Sequence, residues 1–174
     1  MNNKKIKIGI LGGSFDPAHK GHLAISKEAK NRFNLKKIIW AITKKNPFKI
    51  KSETALSKRT KDCKKIIGSN SFIKVKFYEN IIKSNKTIDL INYIKKDNNI
   101  EIYFLMGADN LINFHKWHKS KLISQKCNIL VFDRHGYKKN SLKSKTFKEL
   151  DKSILTFVKF KKVNISSSQL RKIW

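Results

Sequence analysis

Cysteine, proline and acidic side chains are all scarce in this chain of 174 residues, which has two Cys, two Pro and only 12 Asp and Glu against 40 Lys and Arg. Cys63 and Cys127 stand in apolar or helical surroundings, which suits free thiols in a reducing compartment better than a disulfide framework. No apolar run approaches the ~20 residues of a membrane-spanning helix. The opening run is short, is followed by Gly12-Gly13 and lacks a small-residue cleavage pattern, so it reads as a strand and not as a signal peptide. A soluble, cytoplasmic protein with no membrane partner is expected.

Arginine is scarce too, being confined to Arg32, Arg59, Arg134 and Arg171. The net charge of +28 makes nucleic acid a partner to weigh. Yet the charge is nearly all lysine, spread beside Asn and Ile through every region. Such a diffuse field favours anionic substrates without defining a surface that reads sequence, so no specific nucleic-acid partner is expected. What is abundant is apolar: 40% of residues are hydrophobic, interleaved with charge throughout, as in a folded protein. The length fits one domain over residues 1–174, able to bury roughly two thirds of its unfolded surface.

Lys7 to Leu11 reads as a buried strand that stops at a tight Gly12-Gly13 turn, and a helix follows over His22 to Phe33, with Ala24, Ala29 and Phe33 inward. Lys37 to Thr43 gives a second strand and Lys44 to Lys51, with Pro47, a loop. A helix then spans Thr54 to Ile67, capped by Ser52 or Thr54 and ended by Gly68 in a left-handed conformation. Phe72 to Phe77 is a strand, and Thr87 to Lys96 a helix with Ile88, Ile91 and Ile94 inward. Glu101 to Gly107 is continuously apolar and again ends in glycine, the mark of a strand buried on both faces. A helical region over Asp109 to Leu122, a strand over Asn128 to Asp133, a loop over Arg134 to Lys139, a strand over Ile154 to Val158 and a helix start at Ser167 complete the chain. Strands and helices alternate, which predicts a three-layer α/β, Rossmann-like fold with a mostly parallel sheet and ligands at the carboxyl edge.

The densest constellation is Gly12-Gly-Ser-Phe-Asp-Pro-Ala-His-Lys-Gly-His22. The glycines permit close backbone approach, Asp16-Pro17 sets a turn, and the helix that follows aims its amides and positive dipole end at an anion. His19 and His22 share a face and can both donate to phosphate oxygens. A turn with two capping histidines is the bland reading of the same residues. At the other end, Ile165-Ser-Ser-Ser-Gln-Leu-Arg171 puts hydroxyls and fresh amides at a helix start; alone it would serve as a plain N-cap.

The first segment resembles the (H/T)xGH motif of the nucleotidyltransferase superfamily, matched by His19-Lys20-Gly21-His22, and the second resembles that superfamily's ISSTxxR signature with Ser168 for the usual Thr. Gly107-Ala-Asp-Asn-Leu-Ile-Asn-Phe-His-Lys-Trp117 and Thr87-Ile-Asp89 resemble nicotinate-nucleotide adenylyltransferases in particular. The resemblance spans nearly the whole chain. It implies ATP binding by Gly12, Gly13, Ser14, Phe15, His19, His22, Gly107, Asp109, Ser166, Ser167, Ser168 and Arg171, with Asp109 toward the ribose. It implies pyridine-nucleotide binding by Asp16, Lys49, Thr87 and Trp117, with Trp117 stacked on the ring and Thr87 holding its carboxylate. Trp117 by itself would read as core packing. One departure is the loop Lys45-Asn-Pro-Phe-Lys49, where the family has proline-proline-histidine-lysine; only Lys49 carries over.

The implied reaction is transfer of the adenylyl group of ATP, with Mg2+, to nicotinate mononucleotide, giving deamido-NAD and pyrophosphate. His19, His22, Lys49 and Arg171 are the catalytic candidates, as donors that neutralise charge on the α-phosphoryl group. Nicotinamide mononucleotide and pantetheine phosphate are alternative acceptors, and a non-catalytic basic nucleic-acid-binding module is the alternative of another class. Zinc is not expected: the pairs His19/His22 and His115/His118 lack the glutamate of a helical HExxH motif, and no cysteine pair closes a site.

Overall fold

Isoleucine, valine and aromatic residues fill the runs that pair as strands, since branched and ring side chains pack well on a pleated surface buried on both sides. The computed structural model describes residues 4–44, 54–133 and 136–159. Its strands are β1 (Ile6–Gly13), β2 (Lys37–Ile42), β3 (Ile73–Lys76), β4 (Ile100–Gly107), β5 (Asn128–Phe132) and β6 (Leu155–Val158). Its helices are α1 (Lys20–Phe33), α2 (Leu56–Ile67), α3 (Glu79–Ile82), α4 (Thr87–Ile94), α5 (Ala108–Asn113), α6 (Ser120–Lys126), α7 (Lys138–Lys143) and α8 (Lys145–Glu149).

The strands form one sheet in the order β3-β2-β1-β4-β5-β6, and every pairing among the described residues is parallel. Side chains alternate across it with period two. Ile8, Ile10, Ile39, Phe104 and Val131 face α4, α5 and α6, burying Ile88, Ile91, Leu111 and Ile123. Leu11, Ile38, Trp40, Leu105 and Phe132 face α1 and α2, burying Ala29, Cys63 and Ile67. This is the three-layer Rossmann-like α/β arrangement. The eight residues of α4 are too few for a stable isolated helix, so burial of its isoleucines at roughly 1.5–3 kcal/mol each holds it in place. The order reverses between β1 and β4, so the crevice beyond their carboxyl ends is where such a sheet takes a ligand.

Several boundaries differ from the sequence expectations for identifiable reasons. Gly12 and Gly13 stay in the sheet, paired with Ala41 and Ile42, so the tight turn begins later, at Ser14 to Pro17. Helix α1 starts at Lys20, and its buried residues are Gly21, Ser26 and Ala29, whereas Ala24 and Phe33 are half-buried. The N-cap of α2 is Ala55 with no side-chain cap bond, so Thr54 does not cap it, and Ser52 lies outside the described residues. Gly68 does end α2 and has a positive φ of 55°, but its ψ of −128° lies outside the left-handed helical region expected of it. The helical region after β4 breaks at a 3-10 turn over Phe114–Lys116, where Trp117 becomes extended and Lys119 left-handed. Helices α3, α7 and α8 were not expected; they are four to six residues long, too short to display a 3.6-residue apolar period. The helix start at Ser167 lies outside the described residues.

Candidate functional site

Gly12 is exposed although it lies on a central strand, at the carboxyl edge of the sheet. Among the described residues, a Cβ placed there would meet Phe104 Cζ alone, at 3.7 Å, and the nearest atoms to one on Gly13 belong to the Phe15 ring, from 3.5 Å. The backbone is thus open to close approach by another molecule. Beyond it, Phe15 adopts φ 48° and Asp16-Pro17 is cis, and Ser14, Phe15, Asp16, Ala18 and His19 are all buried.

The turn delivers His19 as the N-cap of α1. His19 Nδ1 accepts from the Gly21 amide at 3.1 Å, and His22 Nδ1 accepts from the His19 amide at 3.2 Å, a capping box built from two imidazoles. Each Nδ1 serves as acceptor, so in the neutral ring the proton sits on Nε2, a tautomer assigned from this hydrogen-bond pattern. The rings lie 3.8 Å apart between centroids. The first turn of α1 carries no acidic residue, so its positive dipole end is not offset from within the helix.

An aromatic floor fixes the second ring. Phe15 stacks on Trp40 at 5.0 Å, and His22 is 4.8 Å from Phe15 and 5.8 Å from Trp40. Trp40 Nε1 donates to Ser26 Oγ at 2.8 Å, which donates to the His22 carbonyl at 2.9 Å, so β2 holds α1 directly beneath the motif.

On the other side of Gly12 is a cleft of about 50 Å³, lined among others by Thr43, Tyr78, Glu79, Thr87 and Phe104. That is space for about four waters, the size of one end of a ligand. Thr87 opens α4, whose N-cap Lys86 supplies no side-chain bond. The preceding turn is closed locally, by Ser84 Oγ donating to Asp89 Oδ2 at 2.6 Å and accepting from the Lys86 amide at 3.1 Å. Burial pushes the Tyr78 hydroxyl and the Glu79 carboxyl above their ordinary ranges; for Glu79 the Lys44 amide, donating at 3.1 Å, works the other way. Thr43 Oγ1 is buried with no hydrogen-bond partner among the described residues.

Phe104 joins these parts. It faces Gly12, lines the cleft and meets the Trp117 ring edge-on at 5.9 Å; Trp117 also packs on Phe114 at 5.2 Å. Trp117 is half-buried, so it serves the core and still presents surface. Gly107 caps α5 in extended conformation, and Asp109 is the second residue of that helix. The register Leu11↔Leu105 brings the ends of β1 and β4 out together. Hence Gly12 through His22, Thr87, Gly107, Asp109 and Trp117 all lie on elements ending at or crossing one edge. Lys49, Ser166, Ser167, Ser168 and Arg171 lie outside the described residues.

Sequence reasoning did not find Trp40, Ser26, Phe104, Glu79 or Arg59 as parts of this region. The alternation of β2 could have placed Trp40 beside Ile38 and Ile42 on the α1 face; nothing in the sequence signalled Glu79 or Arg59. Among the described residues no three His, Cys, Asp or Glu side chains gather as a metal site. The amide and Nδ1 of His115 both meet Thr146 Oγ1, at 3.0 and 3.1 Å, which ties it to α8. No described helix is long and apolar enough to cross a membrane.

Residues 10–173 match the family model of cytidylyltransferase-like proteins. The chain is 69% identical over 99% of its length to a probable nicotinate-nucleotide adenylyltransferase of Pelagibacter ubique, covering 96% of that protein. It is 35% identical over 95% of its length to the probable nicotinate-nucleotide adenylyltransferase of Clostridium botulinum, covering 84%. Among solved structures it resembles Plasmodium falciparum nicotinic acid mononucleotide adenylyltransferase complexed with NaAD, with a TM-score of 0.75 and 25% identity over 95% of this chain and 82% of that one.

Proposed function

This chain belongs to the cytidylyltransferase-like family and, within it, to the nicotinate-nucleotide adenylyltransferases, and from that premise we propose that it joins ATP to nicotinate mononucleotide, giving deamido-NAD and pyrophosphate in NAD biosynthesis. The observation that carries the chemistry is the capping box of His19 and His22 beside an exposed glycine strand end. Two Nε2–H donors and a helix start with no acidic residue in its first turn suit an α-phosphate, and the open backbone at Gly12 and Gly13 suits a substrate pressed against the sheet.

The acceptor's 5′-phosphate attacks the α-phosphorus; a new oxygen–phosphorus bond forms as the bond to the β-phosphate oxygen breaks, and the electron pair leaves with pyrophosphate. A phosphate dianion needs no general base. The protein aligns two anions and neutralises charge on the oxygens in flight. His19 and His22 supply donors, with Lys49 and Arg171 as the further cations. ATP is assigned to Gly12, Gly13, Ser14, Phe15, Gly107 and Asp109 with Ser166, Ser167 and Ser168, and the pyridine nucleotide to Asp16, Lys49, Thr87 and Trp117. Mg2+ bound to the triphosphate would supply further charge neutralisation at the pyrophosphate. One catalytic domain in the cytoplasm carries this chemistry, with Cys63 and Cys127 as buried free thiols.

Purified protein incubated with ATP, Mg2+ and, in parallel, nicotinate mononucleotide, nicotinamide mononucleotide or pantetheine phosphate, with products identified by mass, tests this reading. Deamido-NAD should form fastest. Faster turnover of another acceptor reassigns the substrate, and no pyrophosphate from any of them ends the reading.

A further inference from the structure

Arg59 is 2% exposed, and its guanidinium lies where main-chain pairing between β1 and β2 stops. The last pair in register is Gly13↔Ile42. One residue on, Arg59 Nη1 donates to the Ser14 carbonyl at 2.7 Å and to the Thr43 carbonyl at 2.8 Å, so the side chain stands in for the missing rung. Its Nη2 donates to the Lys44 carbonyl at 3.3 Å and its Nε to the Thr54 carbonyl at 3.0 Å. Four carbonyls from three separate segments converge on one planar fork.

An apolar side chain here would leave these carbonyls unpaired. Arginine pairs all four, and the attraction between its charge and the Glu79 carboxyl offsets part of the cost of burying it. The pairing fixes the backbone on both sides of the strand ends. Ser14 opens the turn that delivers His19. Thr43 lines the cleft on the acceptor side, and Lys44 is held at its amide by Glu79 Oε1 as well as at its carbonyl by Arg59. Lys44 and Thr54 also flank the stretch of sequence that carries Lys49.

We propose that Arg59 is a positioning residue for adenylyl transfer, fixing the spacing between the phosphate-binding turn and the acceptor cleft before either substrate arrives. This deepens the adenylyltransferase reading and rests on it. Lysine cannot replace it: an ammonium presents its three donors from a single atom and cannot span carbonyls belonging to Ser14, Thr43 and Thr54.

The test compares Arg59→Lys, Arg59→Met and Arg59→Ala with wild type by thermal melting and by steady-state kinetics with ATP, Mg2+ and nicotinate mononucleotide, normalised to folded protein. Arg59→Lys should stay folded and lose at least tenfold in kcat, since a misplacement on the order of 1 Å costs about a hundredfold. In Arg59→Ala, millimolar methylguanidinium should restore turnover severalfold where methylammonium at the same concentration does not. A merely structural role moves neither readout. Folded Arg59→Lys with kcat and both KM values within twofold of wild type overturns the proposal. Should every variant melt early, loss of activity in strict proportion to the unfolded fraction, without guanidinium rescue, overturns it as well. Wild type that makes no dinucleotide refutes the adenylyltransferase reading itself, a separate failure visible in the same plate.

Discussion

Replacing Gly12 by alanine should separate what the fold needs from what the reaction needs. The residue has no positive φ, and among the described residues its new methyl would meet only Phe104 Cζ, at an ordinary 3.7 Å. Loss of unfolded-state freedom should then stabilise the protein by ~0.4–1 kcal/mol, which for a domain this size raises Tm by roughly 1–4 °C. The same methyl projects into the crevice where the proposed function lays substrate against the strand. A displacement on the order of 1 Å costs about a hundredfold in rate, or ~2.7 kcal/mol of transition-state stabilisation at 1.36 kcal/mol per tenfold. Gly9→Ala is the control. Its Cβ would sit 3.0 Å from Leu35 Cδ1 and 3.1 Å from Ile38 Cγ1, inside the packed face. Overpacking of that kind costs ~1–3 kcal/mol, so Tm should fall while folded enzyme keeps its kcat/KM. Melting curves and pyrophosphate release measured on both variants check the pair. Full activity in a stable Gly12→Ala protein would refute the idea that substrate occupies this strand end.

Ser26→Ala should cost ~1–3 kcal/mol by denaturant unfolding, because the buried indole N–H of Trp40 loses its acceptor; an unchanged midpoint would contradict that role. Burial pushes the Cys63 and Cys127 thiols up to about 12, so neither should react with a disulfide reagent at pH 8 until the protein unfolds, and rapid labelling of native protein would count against the packing described. The Glu79 carboxyl is held above its ordinary value of 4.5, chiefly by burial, so the folded state binds that proton more tightly than the unfolded one. Its contribution to stability therefore declines as pH rises through the interval between those two values, and Glu79→Gln, measured by denaturant midpoint against pH, should flatten that decline.

The strands were legible because long apolar runs ending in glycine have few other uses; β1 and β4 were placed to within two residues at each end. The extra length of β1 was not legible, since Gly12-Gly13 reads locally as a turn and only the partners Ala41 and Ile42 keep it in the sheet. The motif residues Gly12 to His22 announced a site through their density, but the sequence could not show that each imidazole uses Nδ1 on a backbone amide. That arrangement depends on the turn geometry at Phe15, whose φ of 48° is rare for an aromatic residue. Trp40, Phe104 and Arg59 escaped for a different reason: a buried aromatic residue or a lone arginine acquires its role from neighbours distant in the chain. Trp117 bears out the core-packing reading, as it packs on Phe104 and Phe114, and it remains half exposed.

The most direct test of the central claim, that the turn after β1 drives adenylyl transfer, is a coupled pyrophosphate assay on folded His22→Ala protein beside wild type, with deamido-NAD quantified by mass. Removing one such donor predicts a loss of about a hundredfold or more in turnover, with α1 and the sheet intact by circular dichroism. Pyrophosphate release at a near wild-type rate from the variant would contradict the account.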